Sequence, residues 1–338
     1  DLSDDLTIAA CAKHFAGYGF AEAGREYNTV TIGENELYNT ILPPFKAAAQ
    51  AGVATFMNSF NDIDGIPSTG HKRLQRDVLK GTWKWNGLIV SDWGSIGEMK
   101  AHGFATDKKH AAEIALNAGC DMDMESYAYE SSLHTLLDED KVGIEQIDDA
   151  VRRVLRLKFQ LGLFDNPYKY CDEEREKKEV YTKENLSIAR DVAKRSIVLL
   201  KNENKLLPLS KNIKRIAVIG PMANDKDTPL GNWRAKGEYN SAVSLLEGVK
   251  SMVGINTEVL YAKGVDLIIP NIKPGENQYK LPLKFNTTDN SKIARAVEVA
   301  KKSDVVLLAI GENAYQTGEG RSQTNIGLLG LQNKLLEA

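Results

Sequence analysis

Nowhere in the 338 residues does an apolar run approach the roughly 20 residues that a membrane-spanning helix requires. Neither sign of charge dominates. The 43 lysines and arginines face 46 aspartates and glutamates, a formal net charge of −3, so no basic surface calls for nucleic acid or an anionic membrane. Cysteine is scarce, and three thiols make no disulfide framework and say nothing about redox compartment. With five scattered histidines they show no C-x-x-C or H-x-x-x-H spacing, so no metal site is expected. Cys11 and Cys120 sit in apolar, strand-like stretches and read as core thiols. There is no internal repeat and no low-complexity tract. The strand-like run ending at Gly220-Pro221 lacks the G-x-G-x-x-G that would make it a nucleotide site. The chain opens Asp1-Leu-Ser-Asp-Asp5, with neither an initiating Met nor a signal peptide, as a processed or internal start would.

What is present is an ordinary globular composition, 42% hydrophobic and 26% charged, at a length that suits about two domains. Strand and helix patterns alternate through the first half. Strands are expected at Ile8–Ala12, Val53–Ser59, Leu88–Val90 and Ala118–Met124. Between and after them the apolar spacing predicts helices over 34–50 (interrupted at Pro43-Pro44), 72–83, 108–117, 131–137 and 144–162. Such alternation predicts an α/β fold with a parallel sheet. Four strands are half of the eight that a closed β/α barrel needs. The charge-dense run Cys171–Val180 has no core face and reads as a crossing between domains, followed by a helix over 183–196. A second α/β unit opens at Arg215-Ile-Ala-Val-Ile219, with further strands at 257–261 and 304–310. The expected organisation is a partial barrel over 1–164, an interdomain linker with a helix over 165–212, and an α/β sandwich with a mostly parallel sheet over 213–338.

Chemistry concentrates at strand ends. Leu88-Ile-Val90 is a continuous apolar run of the kind buried on both faces of a parallel sheet, and it breaks at Ser91-Asp92-Trp93-Gly94. In a β/α barrel that end carries the catalytic groups. An Asp there is equally a common helix cap, here for a helix starting near Ile96. The last strand likewise runs into a glycine-rich loop, Gly311-Glu312 to Gly318-Glu319-Gly320, where α/β sheets place ligands.

Lys13-His14-Phe15-Ala-Gly-Tyr-Gly19, Arg25-Glu-Tyr-Asn28, Val90-Ser-Asp92-Trp93-Gly94 and Ala118-Gly-Cys-Asp-Met-Asp-Met124 together resemble glycoside hydrolase family 3, in particular its bacterial periplasmic β-glucosidase group. The second half agrees through Ser196-Ile-Val-Leu-Leu-Lys-Asn202, Ile216-Ala-Val-Ile-Gly-Pro221 and Leu230-Gly-Asn-Trp233. The resemblance extends from Lys13-His14 to the last residues.

It implies a retaining, exo-acting β-glycosidase, a β-glucosidase or β-xylosidase. Asp92 would be the nucleophile that forms a covalent glycosyl-enzyme. Glu319 would be the acid/base on the second domain; its alternatives are an ordinary loop glutamate or the neighbouring Glu312. A retaining mechanism needs the two carboxyls about 5–5.5 Å apart, so the second domain is expected to fold over the barrel mouth. Lys13 and His14 would bind hydroxyls of the cleaved sugar, the alternative for His14 being a satisfied core histidine. Trp93 would wall a sugar face, or simply pack, and Trp233 would contact the substrate beyond the cleaved ring. Family members that act on N-acetylglucosaminides carry a histidine acid/base in the loop after the Lys-His-Phe motif. Here that loop is Ala16-Gly-Tyr-Gly19, which points to the glucosidase or xylosidase branch.

The implied partner is an oligosaccharide or β-glucoside, with no cofactor, nucleic acid or membrane, and a periplasmic or secreted location. Relatives of full length also have an earlier half-barrel and usually a fibronectin-like C-terminal domain. The chain is therefore expected to be a fragment, completed by the other half-barrel or by a homodimer partner. The competing reading is a non-catalytic sugar-binding or assembly fragment of such an enzyme.

Overall fold

The computed structural model describes residues 2–269 and 282–338, which fall into two compact units, residues 1–193 and 194–338. Residues 165–212, expected as a separate crossing, are shared between the two. Both units are α/β with mostly parallel sheets. No helix among the described residues is long and apolar enough to cross a membrane.

In the first unit, β1 (Cys11–Phe15), β2 (Thr55–Asn58) and β5 (Leu88–Val90) form a parallel sheet in the order β1-β2-β5. A small antiparallel hairpin, β3 (Asp62–Ile63) with β4 (Ile66–Pro67), follows β2. All three residues of β5 are buried, as its unbroken apolar run requires. Phe15 and Phe56 on the sheet meet Phe45 from the helix Leu42–Gln50, with ring centroids 5.2–6.1 Å apart and mostly edge to face. Leu74 and Leu79 from the segment Arg73–Thr82 extend the same core. Pro43 and Pro44 do not break their helix. The helical run over 34–50 is continuous, and a π-helical turn, Leu37–Ile41, precedes the α-helical turn that holds the two prolines.

Two expectations change. The first strand lies three residues later than expected and runs through the Lys13-His14-Phe15 motif. Cys11 is consequently not a core thiol: it sits on β1, which pairs with β2 alone among the described residues, and it is exposed. The fourth strand, expected over Ala118–Met124, is reduced to a single bridge between Val90 and Met122. Two side-chain bonds reinforce its backbone bonds to β5. The Ile89 N–H donates to the Asp121 carboxylate at 2.8 Å, and Met124 N–H to Ser91 Oγ at 2.8 Å. The backbone bonds run from the Asp121 and Met122 N–H groups to the Ile89 carbonyl (2.9 and 3.1 Å), from Ser91 N–H to Met122 (2.9 Å) and from Gly94 N–H to Met124 (2.7 Å).

Asp121 is also the centre of a buried ion cluster. Lys80 Nζ lies 2.6 Å and Arg153 Nε 3.8 Å from its Oδ1. Burial is the largest influence on both partners. It pushes the Asp121 carboxyl above its ordinary range and the Lys80 ammonium below its own, against their mutual attraction. Such a pair is worth little over an apolar replacement, but half of it is costly to strand.

The second unit is a three-layer sandwich. β6 (Arg215–Ile219) lies between β7 (Glu258–Ala262) and β8 (Val305–Leu308), all parallel. Alternate residues of β6 feed two cores. Ala217 and Ile219 join Ile293, Ala296 and Val299, whereas Ile216 and Val218 join Leu246. The helix Leu245–Met252 begins with a reciprocal cap: Ser244 Oγ accepts from Glu247 N–H at 3.1 Å, and Glu247 Oε2 from Ser244 N–H at 3.0 Å.

Replacing Lys80 with Met is expected to destabilise the first unit by about 3–5 kcal/mol in urea unfolding, because the Asp121 carboxylate stays buried without its closest cation. Lys80→Met combined with Asp121→Asn should recover part of that loss. A single variant within experimental error of the parent would show that the cluster does not act this way.

Candidate active site

The C-terminal ends of β1, β2 and β5 lie together, since Phe15 pairs with Asn58 and Met57 with Val90. His14 and Asp92 emerge from the two outer strands. Parallel strands stand about 4.8 Å apart, so these side chains must reach over the end of β2 to meet. They do: His14 Nε2 is 3.5 Å from Asp92 Oδ2.

Asp92 is 7% exposed. Its Oδ1 accepts a 2.7 Å bond from the Trp93 N–H, while Oδ2 is buried with no hydrogen-bond donor among the described residues. The carboxylate does not cap the following helix. Ser95–Glu98 starts after Gly94, which has φ +72°, and no side chain caps it. A carboxyl oxygen held out of water, with an imidazole nitrogen 3.5 Å away, has spare capacity to accept a bond or attack a carbon.

Burial, followed by the field of Lys13, lowers the His14 pKa, and the nearby Asp92 carboxylate opposes them without prevailing. The ring is therefore neutral around pH 7 and offers one N–H and one lone pair. Lys13 itself is exposed. Trp93, next to Asp92, is 64% exposed, so packing does not account for its indole.

Groups to which the motifs assign no role also gather here. The Tyr18 ring lies 5.1 Å from that of His14, and Tyr18, Tyr27 and Phe60 form an aromatic cluster with centroids 4.6–6.5 Å apart. Tyr18 and Tyr27 stand inside the quoted motifs, and that placement was the available signal. Glu98 is half-buried; burial raises its carboxyl pKa, and the Asp92 charge adds to the effect. Asp62 accepts from Thr29 Oγ1 (2.9 Å) and Gly65 N–H (3.0 Å), with His102 Nδ1 at 3.7 Å, which fixes the β3–β4 hairpin. Nothing in the local sequence marks Glu98 or His102.

In the second unit, the loop after β8 carries both acidic candidates. Glu312 Oε1 accepts from Gln323 Nε2 at 2.9 Å, which engages it within the loop. Glu319 lies partly exposed between Gly318 and Gly320. Two side chains anchor the loop. Buried Gln332 bonds both the N–H (2.8 Å) and the C=O (3.0 Å) of Gly311. Asn232 Nδ2 donates to the Thr317 carbonyl. Gly318 is obligatory beside that contact, because a Cβ would stand 1.9 Å from the Asn232 amide and its φ is +100°. The Gly231-Asn-Trp233 loop and the Glu319 loop are thereby tied together, and Trp233 is 69% exposed. Among the described residues no group of three His, Cys, Asp or Glu side chains could hold a metal ion.

The first unit thus holds a buried strand-end carboxylate beside a neutral imidazole, and the second unit, an α/β sandwich, holds an acidic loop. Residues 3–157 match the glycosyl hydrolase family 3 N-terminal domain and residues 197–338 its C-terminal domain, so the chain belongs to glycosyl hydrolase family 3. It is 37% identical over 342 residues to the periplasmic beta-glucosidase of Salmonella typhimurium, covering 99% of this chain and 44% of that protein. It is 33% identical to a beta-xylosidase of Formosa agariphila, covering 99% of this chain and 46% of that protein. The crystal structure of Listeria innocua beta-glucosidase in complex with glucose superposes with a TM-score of 0.84 at 36% identity, over 99% of this chain and 43% of that one. The chain thus spans less than half the length of these relatives.

The lowered His14 pKa predicts a pH-dependent stability. The folded state binds a proton less readily than the unfolded chain, whose histidines titrate near 6.5. Its contribution is therefore complete above about pH 6.5 and is lost as pH falls below that value. His71 is buried and lowered in the same direction. His14→Gln should accordingly reduce, without abolishing, the drop in urea midpoint between pH 7.5 and 5.5. An unchanged drop would show that His14 is not held neutral.

Proposed function

We propose that the chain carries the catalytic groups of a retaining, exo-acting β-glycosidase, a β-glucosidase or β-xylosidase that removes non-reducing-end sugars. The observation that carries this reading is the Asp92 carboxylate, buried, fixed through one oxygen by the Trp93 N–H and left with the other unsatisfied beside His14. In this mechanism Asp92 Oδ2 attacks the anomeric carbon and the glycosidic C–O bond breaks. Glu319 protonates the departing oxygen, then takes a proton from the water that releases the sugar from Asp92. The two carboxyls must come within about 5–5.5 Å for this to occur. Glu312, committed to Gln323, is the less suitable acid.

Lys13 and His14 supply donors and an acceptor for the hydroxyls of the cleaved ring. Trp93 covers one of its faces, and Trp233 meets the leaving portion. The glucosidase and xylosidase names of the relatives support the substrate class, and glucose is bound to the Listeria innocua enzyme. The Salmonella relative's location supports a periplasmic or secreted protein. Two carboxyls suffice for the chemistry, so the reading needs no cofactor.

The test is hydrolysis of a nitrophenyl β-glucoside and β-xyloside by the chain and its variants. Asp92→Ala should lower turnover below detection. Glu319→Gln should cost about 10²–10⁴-fold on an alkyl glycoside and much less on a nitrophenyl one, whose leaving group needs little protonation. Equal losses on both substrates would remove Glu319 from the acid role. Absence of turnover by the pure parent chain would favour the non-catalytic fragment reading.

A further inference from the structure

The second unit holds a cavity that the glycosidase reading does not use. Its volume is about 220 Å³, and it opens where the strands end: Pro221 follows β6, Lys263 follows β7, and Asn313 and Tyr315 follow β8. The sheet order β7-β6-β8 makes this a switch point, since the chain leaves β6 to one side for β7 and returns to the other for β8. Open α/β sheets bind ligands in the crevice at that position.

One wall is rigidly built. Asp227, 6% exposed, accepts a 3.1 Å bond from the Tyr315 hydroxyl and pairs with Arg234. The Arg234 guanidinium in turn lies over the Tyr239 ring, 5.8 Å from its centroid. Burial, followed by the Asp227 charge, pushes Tyr315 up to about 12, so its hydroxyl remains a donor.

The charges on the lining are already compensated. Asp227 has Arg234, and Lys263 has Asp266 at 2.6 Å. Asp225 is held by the N–H groups of Asp227 and Thr228 at 2.8 and 2.9 Å. Among the described residues of the lining no surplus cation awaits a phosphate, and the Asp225 carboxylate would repel one. Two tyrosine rings, an amide, carboxylate oxygens and an ammonium suit a neutral ring bearing hydroxyls. The volume lies below the roughly 300–1,000 Å³ of a drug-sized pocket, which limits the occupant to one such ring.

We propose that this cavity is a second, non-catalytic site for a single neutral pyranose, held against Tyr239 and hydrogen-bonded by Asn313 and Lys263. The choice of a sugar over other small polyols rests on the glycosidase reading. The experiment is a titration of the full chain with D-glucose, followed by saturation-transfer NMR, in a His14→Ala/Asp92→Ala background that disables the first-unit site. Binding should persist there. It should weaken about tenfold in Tyr239→Leu and in Asn313→Ala, and stay unchanged in Tyr239→Phe, which keeps the ring. Circular dichroism confirms that each variant is folded. The proposal is overturned by no glucose signal at concentrations on the order of 10 mM, by a signal lost in the His14→Ala/Asp92→Ala background, by indifference to Tyr239→Leu, or by displacement with inorganic phosphate. Failure of the catalytic reading would register separately, as unaltered nitrophenyl glucoside hydrolysis by Asp92→Ala.

Discussion

The buried Asp121 carboxylate is the constraint from which the first unit is built. It receives the Ile89 N–H and the Lys80 ammonium at once, joining β5 to the segment Arg73–Thr82 beside the backbone bonds that Asp121 and Met122 make to Ile89. Three apolar residues alone could slide along their neighbour. A charge-assisted bond at one defined peptide removes that freedom. With β5 fixed in register, the Ser91–Gly94 turn has only one place to go, and its bonds to Met122 and Met124 carry the position forward to Asp92.

The two units use the same device. Each has a central, buried parallel strand, and each presents its acidic groups on a loop beyond a strand end. In the first unit the loop is short and fixed mostly by main-chain bonds. In the second it is long, and the amides of Gln332 and Asn232 substitute for strand neighbours by bonding the loop backbone directly. An amide with both a donor and an acceptor is the side chain best able to imitate a peptide group, and Gln332 uses both functions on Gly311.

Much of this was legible in the sequence, because the strongest signals were local. The unbroken run Leu88–Val90 read as a buried strand and the run Arg215–Ile219 as a strand, and both are. The helix over 183–196 lies where its spacing put it. What failed depended on partners far along the chain. Nothing local separates Ala118–Met124 from a longer strand; its backbone pairing is confined to the bridge between Val90 and Met122 and the bonds around it. Nothing local shows that Cys11 faces outward, because edge position is a property of the sheet. At the candidate site, Asp92, His14 and Trp93 could be named from motifs, and so could Glu319 and Trp233. Glu98 and His102 could not, since their closeness to Asp92 and Asp62 arises only when the turn after β5 and the β3–β4 hairpin are both in place.

The donor to Asp92 Oδ1 is the peptide nitrogen of residue 93, a group that every amino acid except proline supplies. Orientation of the carboxylate is thus independent of which side chain stands at that position. The exposed indole can be exchanged for a smaller or more polar group without loosening its neighbour, so the surface beside the carboxylate can drift across a lineage while the oxygen keeps its orientation.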